Sequence, residues 1–378
     1  MQEQDYNPKF VITAVEASAD LLGAELIKTL KEQYPHAKFY GVGGERMINE
    51  GLHQWHHLNE FSVMGFTDVL KKYFVLKNKI RSIISNTLKI NPDVYIGIDS
   101  PDLNFRIYHH LKKSHIKTVQ CVSPQLWAWR KSRIHYVKKY IDMVFCLFPF
   151  EVDFYTSQNV KSLCIGHPAA SKYKNKHQVK HTNNSSCKTI TVFPGSRSQE
   201  IKLNLPFACD ALNLIQKKID IRVIFLAYSD KNLNQIRELL GQLSLDFEHA
   251  YQINNDFDSL KSSALSIATS GTVTLELALL GEPAIVIYKV SKLNYLIYKL
   301  FGVTQLKFYA LPNILLNNEI YCEYVGHHDQ TNALGESLMT MLLNENYHKF
   351  NSAREALYEM LDIDRARIIN DAIKDMIG

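Results

Sequence analysis

Residues 189–201 read TITVFPGSRSQEI. A β-branched run, Thr189–Phe193, ends at Pro194-Gly195, and a helix is expected to start near Ser196–Ser198, because Pro-Gly stops a strand and Ser is a good helix cap. The stretch decides the fold through what precedes it. Residues 171–188, SKYKNKHQVKHTNNSSCK, are rich in Lys, Asn, Ser and His without an apolar period, and read as a loop between domains. At residue 189 a strand–helix pattern begins a second time.

The first round of that pattern lies upstream. Phe10–Val15 is a short β-branched run, and Ala19–Gln33 has helical spacing, with Leu22, Leu26 and Leu30 four apart. Lys38–Val42 is the next strand, then Val94–Ile98 with a helix from about Phe105, then Lys117–Val122 and Met143–Phe148. Downstream, Arg222–Ala227, Ser266–Ala268 and Ala284–Tyr288 continue the second round with helices between them. Strands alternating with helices imply a mostly parallel sheet covered on both faces. The expected architecture is α/β: two Rossmann-like domains, 1–170 and 189–345, facing each other across a cleft. Residues 171–188 link them, and the helical stretch 346–378 is free to return to the first domain. Ligands of such sheets sit beyond the carboxyl ends of the strands.

Bulk properties agree. The 378 residues suit two domains. Lys plus Arg (43) exceeds Asp plus Glu (38) by five, a dispersed excess that fits an anionic substrate or membrane surface and is too weak for nucleic acid. Cys121, Cys146, Cys164, Cys187, Cys209 and Cys322 form no C-x-x-C pair, so they read as reduced thiols of a cytosolic protein. The N-terminus lacks an apolar signal core. The longest apolar run, near Tyr140–Phe150, contains Asp142 and falls short of the about 20 residues a membrane span needs. The chain is therefore expected to be soluble or to lie on a membrane without crossing it.

Turns at the strand ends carry the chemistry. In Pro194-Gly195-Ser196-Arg197, backbone N–H groups at a helix start favour phosphate, and Arg197 offers a planar fork for two phosphate oxygens. The competing reading is an ordinary capped helix with a surface Arg. In Thr269-Ser270-Gly271-Thr272-Val273-Thr274-Leu275-Glu276, the Gly271 and Thr272 amides suit a phosphate. Glu276 shares a helix face with Thr272 and suits ribose hydroxyls; otherwise it is a satisfied carboxylate in a buried helix that stops at Gly281. In Ile96-Gly97-Ile98-Asp99-Ser100-Pro101-Asp102-Leu103-Asn104, Asp99 ends an apolar strand and is the candidate base for an acceptor hydroxyl. The rival reading makes Asp102 or Asn104 a helix cap and Asp99 its structural partner.

Glu16-Ala17-Ser18-Ala19-Asp20 follows the first strand, where small residues let a helix start near the cleft with Ser18 or Asp20 facing it. Gly41-Val42-Gly43-Gly44 is not G-x-G-x-x-G and is only a flexible turn. In Ser123-Pro124-Gln125-Leu126-Trp127-Ala128-Trp129-Arg130, the paired Trp residues line a sugar or acyl pocket or pack in the core. Asp99 and Asp102 form D-x-x-D, not D-x-D, and no Asp/His cluster has metal-ligand spacing, so neither a divalent cation nor another cofactor is expected. From Phe66 to Ile84, Phe66, Val69, Leu70, Tyr73, Phe74, Ile80, Ile83 and Ile84 alternate with Lys71, Lys72, Lys77, Lys79 and Arg81. Such a basic amphipathic segment lies in a membrane interface or covers a core. Lys292–Phe308 repeats that character.

The ordered set EASADLLGAELI (16–27), GVGGERM (41–47), SVMGFTDVL (62–70), IGIDSPDLN (96–104), VSPQLWAWR (122–130), FPFEVDFY (148–155), IGHP (165–168), FPGSRSQEI (193–201), SGTVTLELALLGEPAIVIYK (270–289) and LPNILL (311–316) resembles the lipid A disaccharide synthase family. The resemblance implies a GT-B type, metal-independent, inverting glycosyltransferase that joins UDP-2,3-diacylglucosamine to 2,3-diacylglucosamine 1-phosphate. It would act peripherally on the cytoplasmic face of the inner membrane, with at least one basic aromatic segment, preferably that carrying SVMGF, touching the bilayer. It implies Asp99 as base, with Arg197, Glu276 and Asn313 around the UDP-sugar, where the reading of the turns adds Ser196, Gly271 and Thr272. Glu16, Ser18, Asp20, Met64, Gly65, Asn104, Gln125 and Trp127 are expected on the acceptor side. The family usually reads GEASGD where Val15 and Ala19 stand here, and a P-E-x-x-Q run where residues 321–330 read YCEYVGHHDQ. The alternatives are another GT-B UDP-sugar enzyme, either a UDP-N-acetylglucosamine 2-epimerase or a lipid-linked glycosyltransferase, and a UDP-binding regulator without turnover. A homodimer is left open.

Overall fold

The computed structural model describes residues 7–61, 69–127, 131–174, 187–254, 257–291, 306–344 and 347–378. Met64 and Gly65, Trp129 and Arg130, and most of Lys292–Phe308 lie outside these residues. The chain divides into two compact units, Met1–Pro168 with Ile363–Gly378, and Ala169–Asp362.

The first unit runs β1 (Lys9–Ala14), α1 (Ala17–Gln33), β2 (Lys38–Gly43), α2 (Glu45–Asn49), β3 (Leu52–His57), α3 (Val69–Ile90), β4 (Val94–Ile98), α4 (Pro101–Leu111), β5 (Lys117–Cys121), α5 (Ile134–Tyr140), β6 (Met143–Cys146), α6 (Pro149–Ser157) and β7 (Ser162–Cys164). Its sheet has the order β3-β2-β1-β4-β5-β6-β7, with every pairing parallel. Strand β4 is buried along its whole length, as a central parallel strand covered on both faces must be. One face packs on α1 and the other on α4 and α5. The last helix, Arg365–Ile377, belongs to this unit: Ile369 and Ile373 join the α1 core, and Arg365 Nη1 reaches Glu25 at 2.6 Å while its Nε donates to the Ile165 carbonyl.

After α7 (Pro168–Tyr173), the second unit runs β8 (Lys188–Phe193), α8 (Ser198–Gln216), β9 (Ile221–Ala227), α9 (Asp230–Leu240), β10 (Glu248–Ile253), β11 (Leu265–Thr269), α10 (Thr272–Leu280), β12 (Ala284–Lys289) and β13 (Glu323–Gly326). The order is β10-β9-β8-β11-β12-β13, again all parallel. The helix Thr331–Asn344 packs on α8 through Leu334, Leu338 and Leu342. The helical stretch expected over 346–378 is thus two helices, and the first, His348–Leu361, belongs to the second unit.

In each sheet the strand order reverses once, between β1 and β4 and between β8 and β11. Those switch points are where an open α/β sheet opens a crevice beyond its strand ends. The turns singled out in the sequence follow these four strands: Glu16 after β1, Asp99 after β4, Pro194–Arg197 after β8 and Ser270–Thr272 after β11.

Candidate active site

Asp99 directly follows β4 in a left-handed conformation, φ 51°, and Ser100 follows at φ 41°. Two consecutive non-glycine residues there are uncommon and cost about 1–3 kcal/mol each, so surrounding bonds must hold them. The Asp99 N–H donates to the Cys121 carbonyl at 2.8 Å. Its carbonyl accepts from Asn104 Nδ2 at 2.8 Å and Gln120 Nε2 at 3.1 Å. Burial raises the Asp99 carboxyl above its ordinary value, and the Ser100 amide partly offsets this. A desolvated carboxylate at a strand end is what a general base requires. The neighbouring acid differs: Asp102 is exposed and paired with Arg133 at 2.6 Å.

Ser100 opens onto a cavity of about 580 Å³ in the first unit, with Glu16 at its rim and Val15, Phe61, Leu76, Ile80 and Leu103 among its walls. Ser18 is exposed on the first turn of α1. Asp20 corrects the sequence reading. It is buried, and its carboxylate accepts from the backbone N–H groups of Gly44, Arg46 and Met47 at 2.6, 3.3 and 3.3 Å. It therefore caps α2. Asn104 is likewise fully buried, its Oδ1 accepting from the Tyr95 hydroxyl; it supports Asp99 from below. Gln125 is exposed, and Trp127 is half-buried with its ring edge-to-face on Phe150 at 4.9 Å. Ser123 anchors that loop by donating to the buried Glu151 at 2.5 Å.

In the second unit, helix α8 starts at Ser198 with Arg197, not a serine, as its cap residue. Glu200 takes the role expected of Ser: its Oε2 accepts from the Ser196 and Arg197 amides at 3.3 and 3.2 Å. Its Oε1 pairs with Arg197 Nη1 at 2.9 Å, although the Arg197 side chain is 81% exposed. The Arg197 end of the pair is open to solvent, where an ion pair is weak, so the guanidinium can turn to a ligand. Gly195 has φ +121°, and a Cβ there would lie 2.7 Å from Glu200 Cβ. No other residue fits this turn.

Helix α10 starts after Gly271. Gly271 and Thr272 are exposed, and a Cβ at Gly271 would meet nothing within 4 Å, so this helix start is open to an anion. One turn on, Glu276 accepts from the Tyr173 hydroxyl at 3.1 Å. Burial raises its carboxyl above the ordinary value, while Tyr173 and Lys172 pull it back. Ser270 donates to the Tyr309 carbonyl at 2.8 Å, tying in the turn before Leu311–Leu316.

Asn313 was expected beside the UDP-sugar. It is fully buried; its Nδ2 donates to the Tyr321 carbonyl and Glu323 Oε1, both at 2.7 Å, and its Oδ1 accepts from the amides of Ile320 and Tyr321 at 2.8 and 2.9 Å. Two donors and two lone pairs are an amide's full capacity, and in this structure the 320–323 segment takes up all four. Asn313→Ala leaves several buried partners unpaired, at an expected cost of about 2–4 kcal/mol. Denaturant unfolding reads this, and folded variant should retain a KM for the sugar nucleotide within about twofold of wild type.

The lipid-A-disaccharide synthetase family matches residues 10–371. The chain belongs to that family. A lipid-A-disaccharide synthase of Idiomarina loihiensis is 33% identical over 345 residues, covering 90% of each chain. Family membership makes the protein a glycosyltransferase of lipid A biosynthesis. The solved structures it resembles include a putative UDP-N-acetylglucosamine 2-epimerase from Listeria monocytogenes (TM-score 0.62, 12% identity, 98% of this chain and 96% of that one). Another is a glycosyltransferase from Rickettsia africae (TM-score 0.58, 13% identity, 99% of each). At these identities the likeness shows the GT-B type fold alone. The epimerase and regulator alternatives are not favoured beside the family match.

Two contributors escaped the sequence reading. Tyr173, which bonds Glu276, lies in the stretch read as a linker, and Gln120 looked like one polar residue in an apolar strand. The second was legible in principle, since a buried strand rarely carries an amide without a partner.

Proposed function

We propose that the chain transfers 2,3-diacylglucosamine from its UDP ester to the 6-hydroxyl of 2,3-diacylglucosamine 1-phosphate, with inversion. Asp99 takes the hydroxyl proton as the oxygen attacks the anomeric carbon, the bond to the diphosphate breaks, and UDP leaves. Arg197 and the α10 start at Gly271-Thr272 balance the charge on the departing diphosphate. Glu276, steadied by Tyr173, accepts from ribose hydroxyls. The observation that carries this reading is the partly desolvated Asp99 at the switch point of the first sheet, next to a cavity lined by both apolar side chains and Glu16, Asp102 and Arg106.

The substrates are lipids, and the reading includes contact with the cytoplasmic face of a membrane through α3. Phe74 and Val75 are 60% and 51% exposed there, while Ile80 and Ile83 turn to the core. No described helix is long and apolar enough to cross a membrane. Purified protein mixed with both substrates in detergent and EDTA is expected to give UDP and the disaccharide 1-phosphate by mass spectrometry. Folded protein that forms neither product, with or without Mg²⁺, refutes the assignment. Product only with Mg²⁺ keeps the reaction and refutes metal independence.

A further inference from the structure

Gln120 is the next-to-last residue of β5, fully buried between β4 and β6. Its Nε2 is 3.1 Å from each of three carbonyl oxygens, those of Asp99, Cys121 and Val122. Its Oε1 lies 2.9 Å from the Tyr108 hydroxyl. Three carbonyls on one side and a hydroxyl on the other leave one sensible orientation for the amide.

The residues it gathers are unusual. Asp99, Ser100 and Val122 all have positive φ, 51°, 41° and 66°. For β-branched Val122 this is a marked outlier. Two strained turns, after β4 and after β5, therefore meet at one neutral donor group. The space under them is reserved for this network, since a Cβ at Gly97 would come within 2.4 Å of the Tyr108 oxygen.

We propose that Gln120 is a positioning residue for sugar transfer: its amide locks the Asp99–Ser100 turn to the Val122 turn, so that the Asp99 carboxylate meets the acceptor hydroxyl. Without the donor, the Val122 carbonyl loses this partner, the Asp99 and Cys121 carbonyls keep only the Asn104 amide and the Asp99 N–H, and the turns relax toward ordinary backbone angles, carrying Asp99 with them. Displacement of a reacting group by about 1 Å typically costs on the order of 10²-fold in rate. The inference rests on Asp99 being the base.

The test compares wild type, Gln120→Leu, Asp99→Asn and the double variant by UDP release at saturating substrates, with KM, thermal midpoint and far-UV circular dichroism measured alongside. Gln120→Leu should lower kcat by roughly 10–100-fold with the KM for the UDP-sugar within about twofold. If Gln120 acts through Asp99, the double variant is no slower than Asp99→Asn alone. A Gln120→Leu kcat within about twofold of wild type, or a double variant slowed by the full product of the two single effects, overturns the proposal. Should Gln120→Leu fail to fold, Gln120→Met keeps the length without the donor and is judged by the same criteria. An Asp99→Asn enzyme at wild-type rate refutes the base itself, a result no Gln120 variant produces.

Discussion

Asp99→Asn is expected to lower kcat by about 10²–10⁴-fold, the usual contribution of one general base, while leaving the fold intact. The substitution is mild where it would otherwise be ambiguous. Asn is among the few residues that tolerate the left-handed region, so the turn at φ 51° accepts it. The bonds that hold the turn run through the backbone N–H and carbonyl of residue 99, which the side-chain change leaves in place. Stability should not fall at neutral pH. Burial makes the charged carboxylate unfavourable, and the neutral amide removes that cost. The pH profile supplies the second readout. Because burial raises the Asp99 pKa above the usual aspartate value, the carboxylate is lost, and kcat/KM of wild type falls, on an acidic limb that lies higher in pH than an exposed aspartate would give. Asp99→Asn should lose that acidic limb. A variant with kcat within about threefold of wild type, or an unchanged limb, removes Asp99 from the chemistry.

How far the sequence could be read follows from where each element sits. The strands recognised in it, such as Val94–Ile98 and Thr189–Phe193, form the interiors of the two sheets. The four strands that went unread are β3, β7, β10 and β13, and each is a sheet edge. Edge strands have one paired side and an exposed surface, so they carry sequences such as LHQWHH (52–57) and EHAYQI (248–253) without a β-branched apolar run. The site divides on similar lines. Turns that follow central strands were legible because position alone marks them. Asp20, Asn104 and Asn313 bind backbone in this structure, which the sequence left open because a polar residue in a motif has the same spelling whether it meets a ligand or caps backbone. Only the partners decide: α2 for Asp20, the Asp99 carbonyl for Asn104, and the 320–323 segment for Asn313.

Glu282 carries the second large effect, and it acts on stability. The residue follows α10 and is fully buried beneath the second sheet. Its Oε1 accepts from Ser266 at 2.8 Å, and Ser266 meets Thr191 at 2.6 Å. Burial is the largest cause and pushes the carboxyl from 4.5 up to about 8, Ser266 and Ser263 pulling it back only in part. In the unfolded chain it titrates near its ordinary value. The folded state therefore holds a proton that the unfolded state has released between about pH 4.5 and 8. The stability contributed by the protonated form is complete below 4.5 and declines as pH rises to about 8, with no further loss beyond. Each pH unit in that window is worth about 1.4 kcal/mol, or roughly 4–5 kcal/mol across it. Gln mimics the protonated acid in shape and keeps an acceptor for Ser266. Glu282→Gln should therefore match wild type near pH 4.5–5 and gain on it steadily toward pH 8, after which the gap is constant. Calorimetry of both proteins between pH 5 and 9 measures the difference. A gap that stays flat across the window would mean that Glu282 folds in charged, and that an unseen cation or water network compensates it.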